Sequence, residues 1–276
     1  MAWLYAIPGW AGLFIVIAVA VGLACSGHAI VRRTFGAELH EHNDVAGFVL
    51  AVVGVLYAVL LAFLTVVVWE RFAEAENRAH SEVDAAVDVW RLSKELPVTA
   101  GSRLQRDLYH YAGVIVGDEW PRLHAGESSA RAQAAVITVL HDVAGLRPTD
   151  FQGAVLQDHL LERVQVMADL RRRRINDNQS GIRPVVWVAL LLGALIVIGF
   201  VYLFAVKSFA VQLAMTAGMA AMIALAFALI IELDFPFRGD VSISPERWIT
   251  FEHTMVAERP SLTGATERRS DRSAGR

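Results

Sequence analysis

Side chains able to do chemistry gather in a few places along this chain. Glu38, His40, Glu41, His42, Asn43 and Asp44 stand together just before a long apolar run. The two imidazoles with Glu38 and Asp44 could bind a divalent cation or sense pH. A plainer reading is favoured: Asn43 or Asp44 caps the following helix by satisfying its free N–H groups, and the rest is a solvated loop. A second cluster, Glu232, Asp234, Pro236, Phe237, Arg238, Gly239 and Asp240, closes the last apolar run. There Arg238 could pair with Glu232 or Asp234, or ring a pore mouth in an oligomer. Arg171, Arg172, Arg173 and Arg174 are consecutive. They could contact anionic lipid headgroups, although a solvated helix end explains them equally well.

The chemistry that is missing is as informative. His110, His124, His141 and His159 are scattered, with no cysteine or carboxylate at metal-ligand spacing. There is no nucleophile with a base, no phosphate-binding glycine loop and no nucleic-acid motif. We expect no metal, no cofactor, no nucleic acid and no enzyme. The single cysteine, Cys25, excludes an internal disulfide and reads as a small buried hydrophobe. A formal net charge of −3 implies no partner.

The elements that must position these groups follow from composition. Hydrophobic residues make up 55% of the chain and charged residues 19%. The excess is concentrated in four runs without Asp, Glu, Lys or Arg: residues 10–31, 45–68, 184–206 and 209–231. Each exceeds the about 20 residues that a helix needs to cross a bilayer. The first run is read as a span and not as a signal peptide, because no basic residue precedes it and Arg32 and Arg33 follow it. The expected fold is all-α: four transmembrane helices with a soluble helical bundle inserted between the second and third. Residues 1–68 hold spans one and two, 69–183 the bundle, 184–235 spans three and four, and 236–276 a C-terminal segment, disordered after about residue 256.

Four spans place both termini and the insert on one side. Trp10, Trp69 and Trp187 then fall at one interface, where indole is favoured. Nine arginines lie near the span ends on the insert side, against Arg32, Arg33 and Lys207 opposite, which favours insert and termini in the cytoplasm and a plasma-membrane location.

In the insert, Phe72, Ala75, Ala79, Val83, Ala86 and Trp90 recur at helical spacing, so span two continues as one long helix toward Pro97. A second helix starts near Ser102, buries Leu104, Leu108, Tyr111 and Ile115, and closes at Trp120 and Pro121. A third, capped by Ser128 or Ser129, carries Ala134, Ile137, His141 and Ala144 on one side. A fourth, capped by Thr149 or Asp150, carries Phe151, Val155, Leu160, Val164 and Met167 and runs through the arginine cluster.

No ionisable residue is read in the middle of a span, which weighs against a proton-coupled transporter, an intramembrane protease or a haem bundle. Polar groups inside the runs are Tyr57, Thr65, Gln212 and Thr216. Span two carries the most pattern: Gly47, Gly54 and Leu61 repeat every seven residues, with Ala51, Ala58 and Thr65 four beyond each. Close helix packing explains this smooth face, and a pore lining in an oligomer is compatible with it. A hydrophobic constriction can also gate by dewetting.

The run from His42 to Phe48, the stretch Gly54 to Phe63, the close at Val68, Trp69 and Glu70, and the end motif Pro236-Phe237-Arg238-Gly239-Asp240 with Val241 to Glu246 resemble the bacterial bestrophin-like family. The resemblance covers about residues 1 to 250. It implies a distant likeness to bestrophins, which are oligomeric anion channels with a helical cytosolic region between spans two and three. The bestrophin hydrophobic neck and acidic calcium clasp have no evident counterpart here. The expectation is therefore a homo-oligomeric anion channel in the lipid bilayer. Asn43, Asp44, Gly47, Gly54, Tyr57 and Thr65 are candidates for its lining or mouth. Glu232, Asp234, Arg238 and Asp240 are candidates for mouths or structural clamps. The alternative is a non-conducting membrane sensor or scaffold whose bundle binds a partner.

Overall fold

The computed structural model describes residues 9–35, 43–204 and 208–258, with side chains left out for residues 9, 10, 35 and 43–46. Every regular element among the described residues is helical, as the composition predicts. Four helices are long and apolar enough to cross a membrane. The chain divides into two units: residues up to 77 with 124–126 and 174–243, and residues 78–123, 127–173 and 244 onward.

The first unit holds the apolar helices: α1 (Gly9–Phe35), the first part of α2 (Asn43–Ser93), α7 (Pro184–Tyr202) and α8 (Phe209–Asp234). Helices form here because every backbone polar group must be satisfied within its own segment where water is absent. Pro184 opens α7, a position where its missing N–H costs nothing. Extensive packing joins α1 to α8. On α8 the buried face is Gln212, Thr216, Ala220, Ala224 and Ala228, one residue in four. Small side chains at that repeat let two backbones approach closely, which is how helices gain dispersion energy in lipid.

The second unit is a bundle of the rest of α2, α3 (Val98–Val114), a π-helical turn (Ile115–Glu119), α4 (Trp120–His124), α5 (Ala130–Ala144), most of α6 (Phe151–Gln179) and α9 (Glu246–Glu258). Its core holds Ala86, Val89, Leu108, Tyr111, Val139, Leu160, Val164 and Met167, all fully buried. Gly101 packs against the end of α2: a Cβ there would lie 2.6 Å from the Ser93 carbonyl oxygen. The Ser129 hydroxyl accepts from the Ala132 N–H and so caps α5, and the Asp150 carboxylate accepts from the Gly153 N–H at the start of α6.

Four expectations change here. Pro121 does not close the second helix. The chain passes it through the π turn, whose wider ring absorbs a residue without an N–H and continues into α4. The face expected inward on α5 is outward: Ala134, Ile137, His141 and Ala144 are exposed, while Ala132, Ala135, Val136, Val139 and Val143 are buried. Alanine and valine lie on both sides of that helix, so periodicity alone did not choose between them. Phe151 and Val155 lie on the exposed side of α6. Finally, α9 adds Trp248, Phe251 and Met255 to the bundle core, with the Trp248 ring edge-on to Tyr111 at 5.5 Å. Their spacing of three and four was readable but lay beyond the expected bundle. Disorder is expected after about residue 256: α9 runs to Glu258, and the residues from 259 on lie outside the described residues.

Candidate functional site

Glu38, His40, Glu41 and His42 lie outside the described residues, as do the side chains of Asn43 and Asp44, whose backbone forms the start of α2. From Gly47 onward the geometry is on view. Within its unit α2 packs along one stripe, Tyr57, Leu61, Leu64 and Val68, with Val68 against Ile230 and Leu233. The rest of the helix is uncovered: Phe48, Val55, Leu56 and Phe63 are each more than 60% exposed.

The candidate residues of α2 divide accordingly. Gly54 has open space where a side chain would stand, and Gly47 faces the Phe204 ring. Tyr57 is turned into the subunit. It is 7% exposed, its hydroxyl donates to the Leu190 carbonyl at 2.9 Å, and its ring lies where a Cβ on Gly193 would be, 2.5 Å away. A phenol in an apolar unit is held where its O–H finds an acceptor. The Thr65 hydroxyl donates back to the Leu61 carbonyl at 2.8 Å. Tyr57 and Thr65 are thus already engaged within one subunit.

The end motif is a clamp. The Arg238 Nε donates to Asn178 Oδ1 at 3.1 Å and its Nη2 to the Asn178 carbonyl at 2.6 Å, while the guanidinium lies over the Phe235 ring at 4.3 Å. Asp234 Oδ1 accepts from the Ile182 N–H at 2.8 Å, and Arg71 donates to the Ser180 carbonyl. Gly181 passes so close that a Cβ would meet Phe235 at 2.7 Å and Asp234 at 2.9 Å. The turn closes with the Ile243 N–H on the Pro236 carbonyl and Gly239 at φ +76°, a conformation open to glycine. Arg238, expected to pair with Glu232 or Asp234 or to ring a pore mouth, forks onto Asn178 while its charge also acts on the Asp234 carboxylate. Asp240 is exposed, and Glu232 Oε2 is buried without a hydrogen-bond partner among the described residues. Arg238→Lys is expected to cost about 1–2 kcal/mol, because an ammonium reproduces neither the fork nor the stacking. Thermal unfolding of the purified protein against wild type checks this, and an unchanged midpoint would remove the clamp.

Sequence reasoning missed His28, which is ionisable and lies within α1 at 1% exposure. Its Nδ1 is 3.3 Å from the Thr216 hydroxyl, and its ring meets Tyr202 edge-on at 5.3 Å. Arg32 donates to Gln212 Oε1 at 2.6 Å, and the Tyr202 hydroxyl donates to the Ala24 carbonyl at 2.8 Å. This polar ladder ties α1, α7 and α8 together and uses two of the four interior polar groups read from the sequence. Ala24, His28 and Arg32 recur every four residues, opposite Gln212 and Thr216 at the same interval. That matching repeat was the available signal.

Arg171, in the bundle, and Arg174, in the first unit, are 2% and 0% exposed, so the expected lipid contact is open only to Arg172 and Arg173. A helix cannot present four successive residues to one side; each step turns through about 100°. Arg171 donates to Glu119 from Nε and Nη2, the latter at 2.6 Å, to Gln133 Oε1 at 2.5 Å and to the Ser129 carbonyl at 3.2 Å. Elsewhere in the bundle, burial and then the neighbouring Asp107 carboxyl push Asp142 up to about 6, against the pull of Arg103 at 3.0 Å. The folded bundle therefore favours protonated Asp142. Its stabilisation is fully present below about pH 3.8, the unfolded value, and is lost as pH rises through 6, a change of about 1–2 kcal/mol. Urea unfolding between pH 4.5 and 7.5 should show that fall, and Asp142→Asn should flatten it.

The bestrophin-like domain family model matches residues 17–248. No curated protein matches the sequence. Among solved structures, the chain is similar to crystal structures of a bacterial bestrophin homologue from Klebsiella pneumoniae. One variant of it shares 16% identity, covering 89% of this chain and 98% of that one, with a TM-score of 0.64. Another shares 16% identity over 90% and 97%, with a TM-score of 0.66. A structure described as a membrane protein shares 16% identity over 89% and 97%, with a TM-score of 0.66. At that identity the likeness is one of fold. The family match, running from within α1 through the other three apolar helices and the end motif, makes this chain a member of the bestrophin-like family.

Proposed function

We propose that the protein is a homo-oligomeric ion channel, selective for anions, with α2 lining the pore. The observation that carries this reading is the uncovered face of α2. Beside its packed stripe runs the smooth face of Gly47, Ala51, Gly54 and Ala58, with Ala51 and Ala58 exposed and Gly54 open. Among the described residues, the buried polar groups around His28 bond to α7 and α8 of the same subunit, with the His28 Nε2 left without a partner. Conduction therefore depends on assembly. A large uncovered apolar face is what an interface with further copies, or with lipid, requires. In this arrangement Gly47 and Gly54 line the pore, Asn43 and Asp44 stand at one mouth, and Tyr57 anchors α2 to α7. The soluble bundle and both termini face the cytoplasm, and Arg172 and Arg173 reach anionic headgroups.

Purified protein in liposomes should pass chloride above the rate of empty vesicles, and native mass spectrometry should give a closed ring. Gly54→Leu meets nothing within its own subunit, so it should lower flux several-fold while leaving the oligomer intact. Absence of flux under every pH and calcium condition, together with a monomeric mass, would overturn the channel and favour a non-conducting scaffold.

A further inference from the structure

The bundle carries a second feature that conduction does not use. A cleft of about 370 Å³ opens beside the π turn. One wall is a single face of α3 and its continuation: Arg106, Tyr109, His110, Gly113 and Gly117, at steps of three and four. The other is Arg131, in the first turn of α5. The buried residues of α3 are Gly101, Leu104, Leu108, Tyr111, Ala112 and Val114, of which only Val114 also lines the cleft.

Charge in the cleft is unbalanced. Most arginines of the bundle have acidic partners: Arg103 with Asp142, Arg122 with Asp118, Arg163 with Asp88, Arg171 with Glu119. Among the described residues, the side chains of Arg106 and Arg131 make no hydrogen bond or ion pair, though the Arg131 charge acts on Asp118. The acid that lines the cleft, Asp118, already accepts from the Ser129 hydroxyl and from Arg122 Nε at 3.1 Å. Those two bonds and the charges of Arg122 and Arg131 hold its carboxyl below the usual range, so it stays ionised and turned to its own partners. Two guanidiniums without hydrogen-bonded partners remain beside the His110 ring. Glycine at 117 leaves open space above the backbone, where a side chain would otherwise fill the cleft. The Glu252 carboxylate stands close to Gly113, and it sets one limit on where an anion can sit.

We propose that this cleft binds a small molecule carrying two anionic groups, phosphate or carboxylate, one to each of Arg106 and Arg131. Guanidinium forks match such oxygens in pairs. The site lies wholly within the bundle and goes beyond the channel reading. Its test reads binding and not flux, so either can fail alone.

Titration calorimetry of the full protein in uncharged detergent, with inorganic pyrophosphate as probe, should show saturable, salt-sensitive binding with Kd below about 1 mM. Arg106→Gln and Arg131→Gln should each weaken it about ten-fold or more. Arg147→Gln, on another loop of the bundle, should leave it unchanged. Gly117→Leu keeps every charge but fills the cleft, and should abolish binding. A parallel arm compares vesicles of phosphatidylcholine with and without phosphatidic acid. Dependence on both arginines in the pyrophosphate arm supports a free anion as ligand. The same dependence only with phosphatidic acid supports the site with a lipid headgroup as its source. Loss of dependence on the arginines in both arms, or wild-type binding by Gly117→Leu, would overturn the proposal.

Discussion

Replacing Glu119 with alanine is expected to destabilise the bundle by about 3–5 kcal/mol, a large share of the about 5–15 kcal/mol that holds a typical domain folded. Arg171 is 2% exposed and Glu119 fully buried, so the truncation leaves a guanidinium without its counter-ion and without access to water. The pair does more than cancel charge. Glu119 ends the π turn, and Arg171 on α6 also holds Gln133 and the Ser129 carbonyl at the start of α5. One side chain thus fixes the meeting of three segments. Glu119→Gln should cost less, because an amide oxygen still accepts. Pairing Glu119→Leu with Arg171→Met should recover much of the loss, since a well-packed apolar replacement removes both desolvation costs together. Urea unfolding of the protein, followed by far-ultraviolet circular dichroism, reports this directly. A single Glu119→Ala variant as stable as wild type would mean that the pair is not buried.

The second large effect is expected at the contact of α2 with α7. Gly193→Val should destabilise the membrane unit by about 2–4 kcal/mol, because its Cβ would fall 2.5 and 2.6 Å from two carbons of the Tyr57 ring. A ring held by a hydrogen bond to Leu190 cannot swing aside cheaply. The clash should be relieved by Tyr57→Ala in the same chain, even though Tyr57→Ala alone leaves a cavity. Tyr57→Phe should leave the clash in place and cost only about 0.6–1.7 kcal/mol by itself, the worth of one hydrogen bond between helices in a bilayer. Thermal unfolding in detergent of the four variants forms a double-mutant cycle. Additive effects of Gly193→Val and Tyr57→Ala would show that the two residues do not touch. If flux is lost with Gly193→Val and returns in the double variant, the α2–α7 contact positions the lining helix.

Much of this protein is determined by composition and period alone. Four runs without charge, each long enough to span a bilayer, leave the backbone no option but helix, since water is absent to satisfy it. The long helix continuing from span two, a cap at Ser128 or Ser129, a cap at Thr149 or Asp150, and the family's end motif follow equally from local chemistry, and the structure selects Ser129 and Asp150. The tertiary structure decided which face of each element is inside. On α5, alanine and valine lie on both sides, and only the neighbours select one. In the arginine run, chain order reads as a single basic patch, yet helical rotation buries the first and fourth and leaves the two between exposed. Tyr57 reads as a polar group on a lining face, but a glycine one helix away makes room for its ring and takes it inside. His28 was overlooked because charge counts treat histidine as neutral, whereas its role rests on Thr216, 188 residues further along the chain. A residue's type and period state which element it joins. Its partners, and hence its role, are set by residues far away in sequence that only packing brings within a few ångströms.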